Sequence, residues 1–235
     1  MKNVDLTKGN VTKVLIALTL PVMGSSFLQF AYNLIDMFWV GGLGSDAVAS
    51  VGSASFYTGL GYSINSLVVI GTGIKVSHVI GEMDSEGIKK YINAGIFINL
   101  LIGIVYILAN LLFGKVFINF LGINNSYVER EAYLYLLISA PMMFFAFFNS
   151  VYTRVFGSFG NNKSALKINS IGIILNIILD PLFIYVMKLG VLGVGIATLI
   201  SNIIVFLLFR LNSNGLFNFD FKVGVDKKYS LEIVR

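Results

Sequence analysis

The sequence predicts an all-α membrane protein, a bundle of six transmembrane helices, and three observations predict it. Over half of the residues are hydrophobic (56%), 12% are charged and the mean hydropathy is +0.83, which is too apolar for a domain whose surface faces water. Charge-poor runs long enough to cross a ~30 Å hydrocarbon core recur six times along the chain. Lys and Arg gather beside alternate ends of these runs, as the positive-inside rule requires.

The runs fall at residues 14–40, 47–74, 92–113, 132–152, 168–187 and 191–209. The first reads as a retained helix rather than a cleaved leader, because no small-residue cleavage site follows it and Pro21 lies within it. The second holds no charge, and Gly52, Gly59, Gly61, Gly71 and Gly73 suit close helix packing in lipid; it is expected to be long and tilted. The turn Gly41-Gly42-Leu43-Gly44-Ser45-Asp46 is short and glycine-rich, which joins antiparallel neighbours. The inner stretch 81–90, mixing Glu82, Asp84 and Glu86 with Lys89 and Lys90, reads as a solvated loop with a helix start. The expected domains are a cytoplasmic segment at 1–13, a six-helix lobe at 14–210 and a cytoplasmic linker-like tail at 211–235.

Fourteen of the 17 Lys and Arg lie on the side of residues 1–13; only Lys115, Arg130 and Lys188 lie on the other. Both termini are therefore expected in the cytoplasm, with the chain crossing a plasma (inner) membrane several times. The net charge of +5 reflects this topology, and no nucleic-acid partner is expected. Cysteine is absent, which excludes disulfides and thiolate metal sites.

Of the 12 acidic residues, the span map leaves two well inside lipid, Asp36 and Asp180. A carboxylate near the bilayer centre costs a few kcal/mol, so it is neutralised, paired or placed in a wet cavity. No Lys or Arg lies at a similar depth, and binding a proton or a metal ion is the natural way to neutralise the pair. At 1.5 Å per residue Asp36 lies ~6 Å and Asp180 roughly 10 Å below the outer end of its run, with Thr198 about as deep in the sixth. Asn176 and Asp180 are spaced i,i+4, and Asn33 and Asp36 i,i+3, so each pair shares one side of its helix. Pro181 frees the carbonyl of Ile177 beside the acid, and Pro21 frees that of Ala17; both are sites for helix bending. Each of these residues also has a structural reading. Asp36 can snorkel to the interface, Thr198 can pack between helices and Asn33 can bridge them. The lone His78 reads as interfacial. Phe144, Phe145, Phe147 and Phe148 read as packing or lipid-facing, with the alternative of lining a cavity for apolar cations.

The segment Tyr32-Asn33-Leu34-Ile35-Asp36-Met37-Phe38-Trp39-Val40-Gly41, followed by Leu43-Gly44 and Ala49-Ser50-Val51-Gly52, resembles the first-helix signature of multidrug and toxic compound extrusion (MATE) transporters. Asn176-Ile177-Ile178-Leu179-Asp180-Pro181-Leu182-Phe183-Ile184 resembles the family's fifth-helix motif, and Gly193-Val194-Gly195-Ile196-Ala197-Thr198 the start of its sixth. The resemblance implies one lobe of a two-lobe antiporter that exports cationic amphipathic compounds in exchange for Na+ or H+. It implies an amino-lobe cation site at Asp36, Asn176, Asp180 and Thr198, which is the metal site if the coupling ion is Na+. It also implies bending of the first helix at Pro21. Asn161 and Ala165 depart from the Asp and Pro that many members carry in the loop before the fifth helix. The family has about twelve helices, so this chain corresponds to the first six, and its tail resembles the linker before helix seven.

The partners expected are the lipid bilayer, a cationic small-molecule substrate and a second six-helix lobe, either a carboxy-terminal half or another copy. No cofactor is expected beyond the coupling ion. Three alternatives remain open. An intramembrane aspartyl protease would use two acids to activate water, but Ile35 and Leu179 precede the acids where a glycine-rich context is expected, so the chain is read as a non-enzyme. A truncated or partner-dependent half-transporter would not transport alone. A lipid-linked sugar flippase shares the architecture, with a cavity richer in Arg. Oxygen ligands suit Na+ and a proton relay alike, so coupling is left open.

Overall fold

The structure, a computed structural model, describes residues 11–213 and 227–234. Six long helices follow one another: α1 (Val11–Gly41), α2 (Ser45–Gly81), α3 (Ser85–Phe120), α4 (Ser126–Ser158), α5 (Asn162–Pro181) and α6 (Val191–Asn212). A π-helical turn over Leu182–Val186 prolongs α5, and a short helix, α7, covers Lys227–Val234. Five of these helices, α2 to α6, are each long and apolar enough to cross a membrane. The 31-residue α1 packs along α5 and completes the six-helix lobe.

Short connections make sequential helices antiparallel. Gly44 opens α2 at φ 105, a conformation that favours glycine. Asp84 caps α3 by accepting from the N–H groups of Glu86 (3.1 Å) and Gly87 (2.9 Å), so the inner loop shrinks to residues 82–84. Asn125 caps α4 in the same way through Tyr127 and Val128. These side chains satisfy helix-end donors that otherwise face solvent unpaired.

The helices extend beyond the apolar runs because hydropathy marks the lipid, whereas the backbone hydrogen-bond ladder continues into water. α2 has 37 residues and is about 55 Å long, well beyond a ~30 Å hydrocarbon core. α1 starts at Val11, inside the segment read as a leading surface strip, and α6 runs to Asn212, two residues past the expected boundary. Residues 1–10 of that strip, and 214–226 and Arg235 of the tail, lie outside the described residues.

α4 is the hub, packing on α2, α3 and α6 through a buried face that includes Leu136, Met143, Phe147, Val151 and Val155. α3 reverses the polarity of a water-soluble helix: Asn93, Asn99 and Asn110 are buried, while Leu108, Leu112 and Val116 are exposed. Lipid gives helices no hydrophobic reason to pair, so close approach and van der Waals contact hold them. A Cβ on Gly73 would strike the Arg154 side chain, one on Gly95 Thr72, and one on Gly195 Ile138. Of the α2 glycines, Gly61, Gly71 and Gly73 serve such contacts, but Gly52 and Gly59 share the exposed face with open space before them.

α7 lies across the carboxy-terminal part of α2 and the start of α3. Ile233 is buried, and its carbonyl sits where a Cβ on Gly71 would have to go. The Tyr91 hydroxyl donates to the Glu232 carboxylate, Lys75 Nζ lies 3.8 Å from it, and the Tyr229 ring meets Tyr91 edge-on at 5.1 Å. This part of the tail is therefore a docked helix. His78 is exposed and pairs with Glu82 at 3.3 Å one turn on, in keeping with an interfacial position.

Candidate functional site

The two intramembrane acids meet at the seam of α1 and α5. The carboxyl groups of Asp36 and Asp180 face each other within hydrogen-bonding reach. Asp180 is fully buried and Asn176, one turn back on the same face of α5, is 2% exposed. α6 packs on α5 and brings Thr198 to the opposite side of Asn176. The three helices thus bring Asp36, Asn176, Asp180 and Thr198 together.

The Asn176 amide lies between the acid and the hydroxyl and satisfies both in one orientation. With its nitrogen toward Asp180 it donates to Oδ2 at 2.9 Å, and its oxygen accepts from the N–H and Oγ1 of Thr198, both at 3.1 Å. Thr198 Oγ1 also lies 3.0 Å from the Val194 carbonyl, one turn back on α6. Asp36 Oδ1 and Asp180 Oδ1 are buried, and neither has a hydrogen-bond partner among the described residues. Two carboxylates, an amide and a hydroxyl form a hard-oxygen set fit for a small cation or a proton, and the orphaned oxygens are the atoms such an ion would satisfy.

Two tyrosines absent from the sequence-based set belong to the site. The Tyr32 hydroxyl lies within hydrogen-bonding reach of Thr198, and Tyr135 of α4 sits close to both acids. Tyr32 precedes Asp36 by four residues, a closer match of face than the three that separate Asn33 from it. Asn33 is exposed, accepts from Gln29 Nε2 at 3.3 Å and is not joined to the acids. The i,i+4 signal for Tyr32 was present in the sequence; Tyr135 becomes visible only once α4 is placed.

Both prolines lie where the sequence puts them, with different local outcomes. After Pro181 the backbone widens: the Met187 N–H donates to the Leu182 carbonyl at 2.9 Å and that of Leu189 to Phe183 at 3.0 Å. The π turn carries Tyr185 back over the end of α1, where its hydroxyl donates to the Trp39 carbonyl at 2.6 Å. α1 runs continuously through the buried Pro21, and the Ser25 hydroxyl donates to the Pro21 carbonyl at 3.0 Å.

A six-helix apolar lobe with a buried polar seam where α1, α5 and α6 meet is the architecture of a membrane carrier half. The chain matches the MatE family over residues 21–182 and belongs to that family of multidrug and toxic compound extrusion transporters. It is 30% identical over 213 residues to the probable multidrug resistance protein YpnP of Bacillus subtilis, covering 88% of this chain and 46% of that protein. It is 28% identical to the multidrug export protein MepA of Staphylococcus saprophyticus, covering 86% and 45%. Its fold matches that of a MOP superfamily transporter from Pyrococcus furiosus with a TM-score of 0.88 at 26% identity, over 100% of this chain and 53% of that one. The chain therefore spans about half the length of the relatives it matches, and its family consists of transporters rather than enzymes.

Proposed function

We propose that this lobe carries the coupling-ion site of an antiporter that exports cationic amphipathic compounds in exchange for Na+ or H+. The observation that supports the reading is the facing of Asp36 and Asp180, each with a buried oxygen that lacks a partner. Occupancy of that pocket by a proton or Na+ removes the repulsion between the two carboxylates and lets α1 close on α5. Loss of the ion restores the repulsion and loosens α1, which opens the cavity between the lobes. Asn176 and Thr198 orient the acids and supply neutral oxygens. Pro21 gives α1 its weak point on the far side of the acid. The exchange cycle needs a second six-helix lobe, as the length of the relatives suggests. The basic end of the lobe faces the cytoplasm across the plasma membrane.

The test is Asp180→Asn in a complete two-lobe transporter in membrane vesicles. Dye efflux driven by a proton or sodium gradient is expected to vanish while membrane insertion stays at the parental level. Gradient-driven efflux that persists unchanged refutes the reading. The same vesicles, energised by one gradient at a time, identify the ion.

A further inference from the structure

Helices α3 and α6 both pack on α4 but do not form a packed pair with each other. The groove between them holds a cavity of about 230 Å3 lined by Ile96 and Leu100 of α3, Phe144, Phe148 and Tyr152 of α4, and Phe206 and Arg210 of α6. Its wall is a run of ring contacts: Tyr152 stacks on Phe206 at 5.6 Å, Phe206 meets Phe148 at 5.8 Å, and Phe148 meets Phe144 at 5.1 Å. Arg210 closes the end of the groove nearest the lobe's basic face, two residues before α6 ends. Its side chain is exposed, lies within hydrogen-bonding reach of the Tyr152 hydroxyl and forms no ion pair with a carboxylate among the described residues.

We infer that this groove is a binding site for an anionic phospholipid of the leaflet at the basic end, with one acyl chain along the aromatic wall and the phosphate on Arg210. Three features select that occupant. A cavity of about 230 Å3 is too small to seat a helix, whose diameter with side chains is about 10 Å or more, whereas an extended hydrocarbon chain is thin. The guanidinium at the mouth repels a cationic substrate and attracts a phosphate, for which its fork of donors is suited. Its position at a helix end places it at headgroup depth, where a basic pocket between transmembrane helices recruits anionic lipid. The site is separate from the acid pair, so it stands whether or not those acids couple transport.

Native mass spectrometry of the full chain in detergent, with phosphatidylglycerol or phosphatidylcholine of identical acyl chains, tests the proposal. The parent is expected to retain phosphatidylglycerol severalfold over phosphatidylcholine. Arg210→Gln should lower phosphatidylglycerol retention about tenfold, the scale of a lost charge-assisted hydrogen bond, and Arg210→Lys should keep part of it. Leu100→Trp, which fills the groove, should lower retention of both lipids. Because Arg210 is exposed, Arg210→Gln tests the site even where Leu100→Trp fails to fold. Equal retention of the two lipids by the parent overturns the proposal. So does undiminished phosphatidylglycerol on Arg210→Gln, or displacement of bound phosphatidylglycerol by ethidium.

Discussion

Asn176 and Asp180 sit one turn apart on the buried face of α5, with the Asn176 amide nitrogen 2.9 Å from Asp180 Oδ2 and its oxygen 3.1 Å from Thr198 Oγ1. An ionised carboxylate only accepts, so it selects the orientation in which the amide donates to Oδ2 and accepts from Thr198. The amide therefore relays hydrogen bonding from the carboxyl on α5 to the hydroxyl on α6.

This relay needs a hydroxyl at position 198, and the methyl of threonine is incidental to it. In a complete transporter Thr198→Val is expected to lower gradient-driven efflux about tenfold, the scale of a lost hydrogen bond to a charged network. Thr198→Ser should retain most of the rate. Initial rates of dye efflux from vesicles with matched protein content check both, and equal rates for Val and Ser remove the relay.

Gly193 and Gly59 are expected to respond oppositely to alanine. At Gly193 a Cβ would lie 2.8 Å from the Phe183 backbone carbon and 2.9 Å from its carbonyl oxygen, atoms that cannot swing aside. Gly193→Ala should therefore destabilise the lobe by about 1–3 kcal/mol. At Gly59 nothing lies within 4 Å, so Gly59→Ala should be neutral or stabilise by up to ~1 kcal/mol through helix propensity. Thermal unfolding of the purified protein in detergent separates the two.

Tyr185→Phe removes the hydroxyl that donates to the Trp39 carbonyl and keeps the edge-on ring contact with Trp39 at 6.2 Å. The expected loss is about 1 kcal/mol in the same unfolding measurement. Tyr185→Ala, which removes both contacts, should cost more.

The docking of α7 should depend on pH through Glu232. The Tyr91 hydroxyl, and after it Lys75 and Lys228, hold the Glu232 carboxyl below its ordinary 4.5. Since the docked form favours the ionised carboxyl, its contribution is complete above 4.5 and is lost as pH falls through the lower docked value. Spin labels at Leu231→Cys and Lys89→Cys should stay close at neutral pH and separate under acid. Glu232→Gln should weaken docking at neutral pH and flatten the dependence; an unchanged acid response in that variant shows that another group controls it.

The spans and the acid pair were legible because excluding charge from lipid leaves a mark on contiguous sequence. Asp36 and Asp180 stood out for want of a basic neighbour, and counting residues from the ends of their runs brought them to one depth. Helix ends were less legible, since α1, α3 and α6 continue past the apolar runs on backbone bonds that composition does not report. Tyr32 was within reach of the same face argument that selected Asn33, and the four-residue spacing was the better guide. Tyr135 and the docking of Glu232 on Tyr91 depend on which helices become neighbours, and no single stretch of chain carries that information.

The widened turn at Leu182–Val186 puts the chain out of step with an ordinary helical count. Deleting one residue there would let α5 continue as a regular spiral and swing Tyr185 by roughly 100° away from Trp39. The carboxy-terminal end of α1 would lose its clasp while every side chain up to Asp180 kept its place, so the extra residue works as a phase setter for the rim of the lobe.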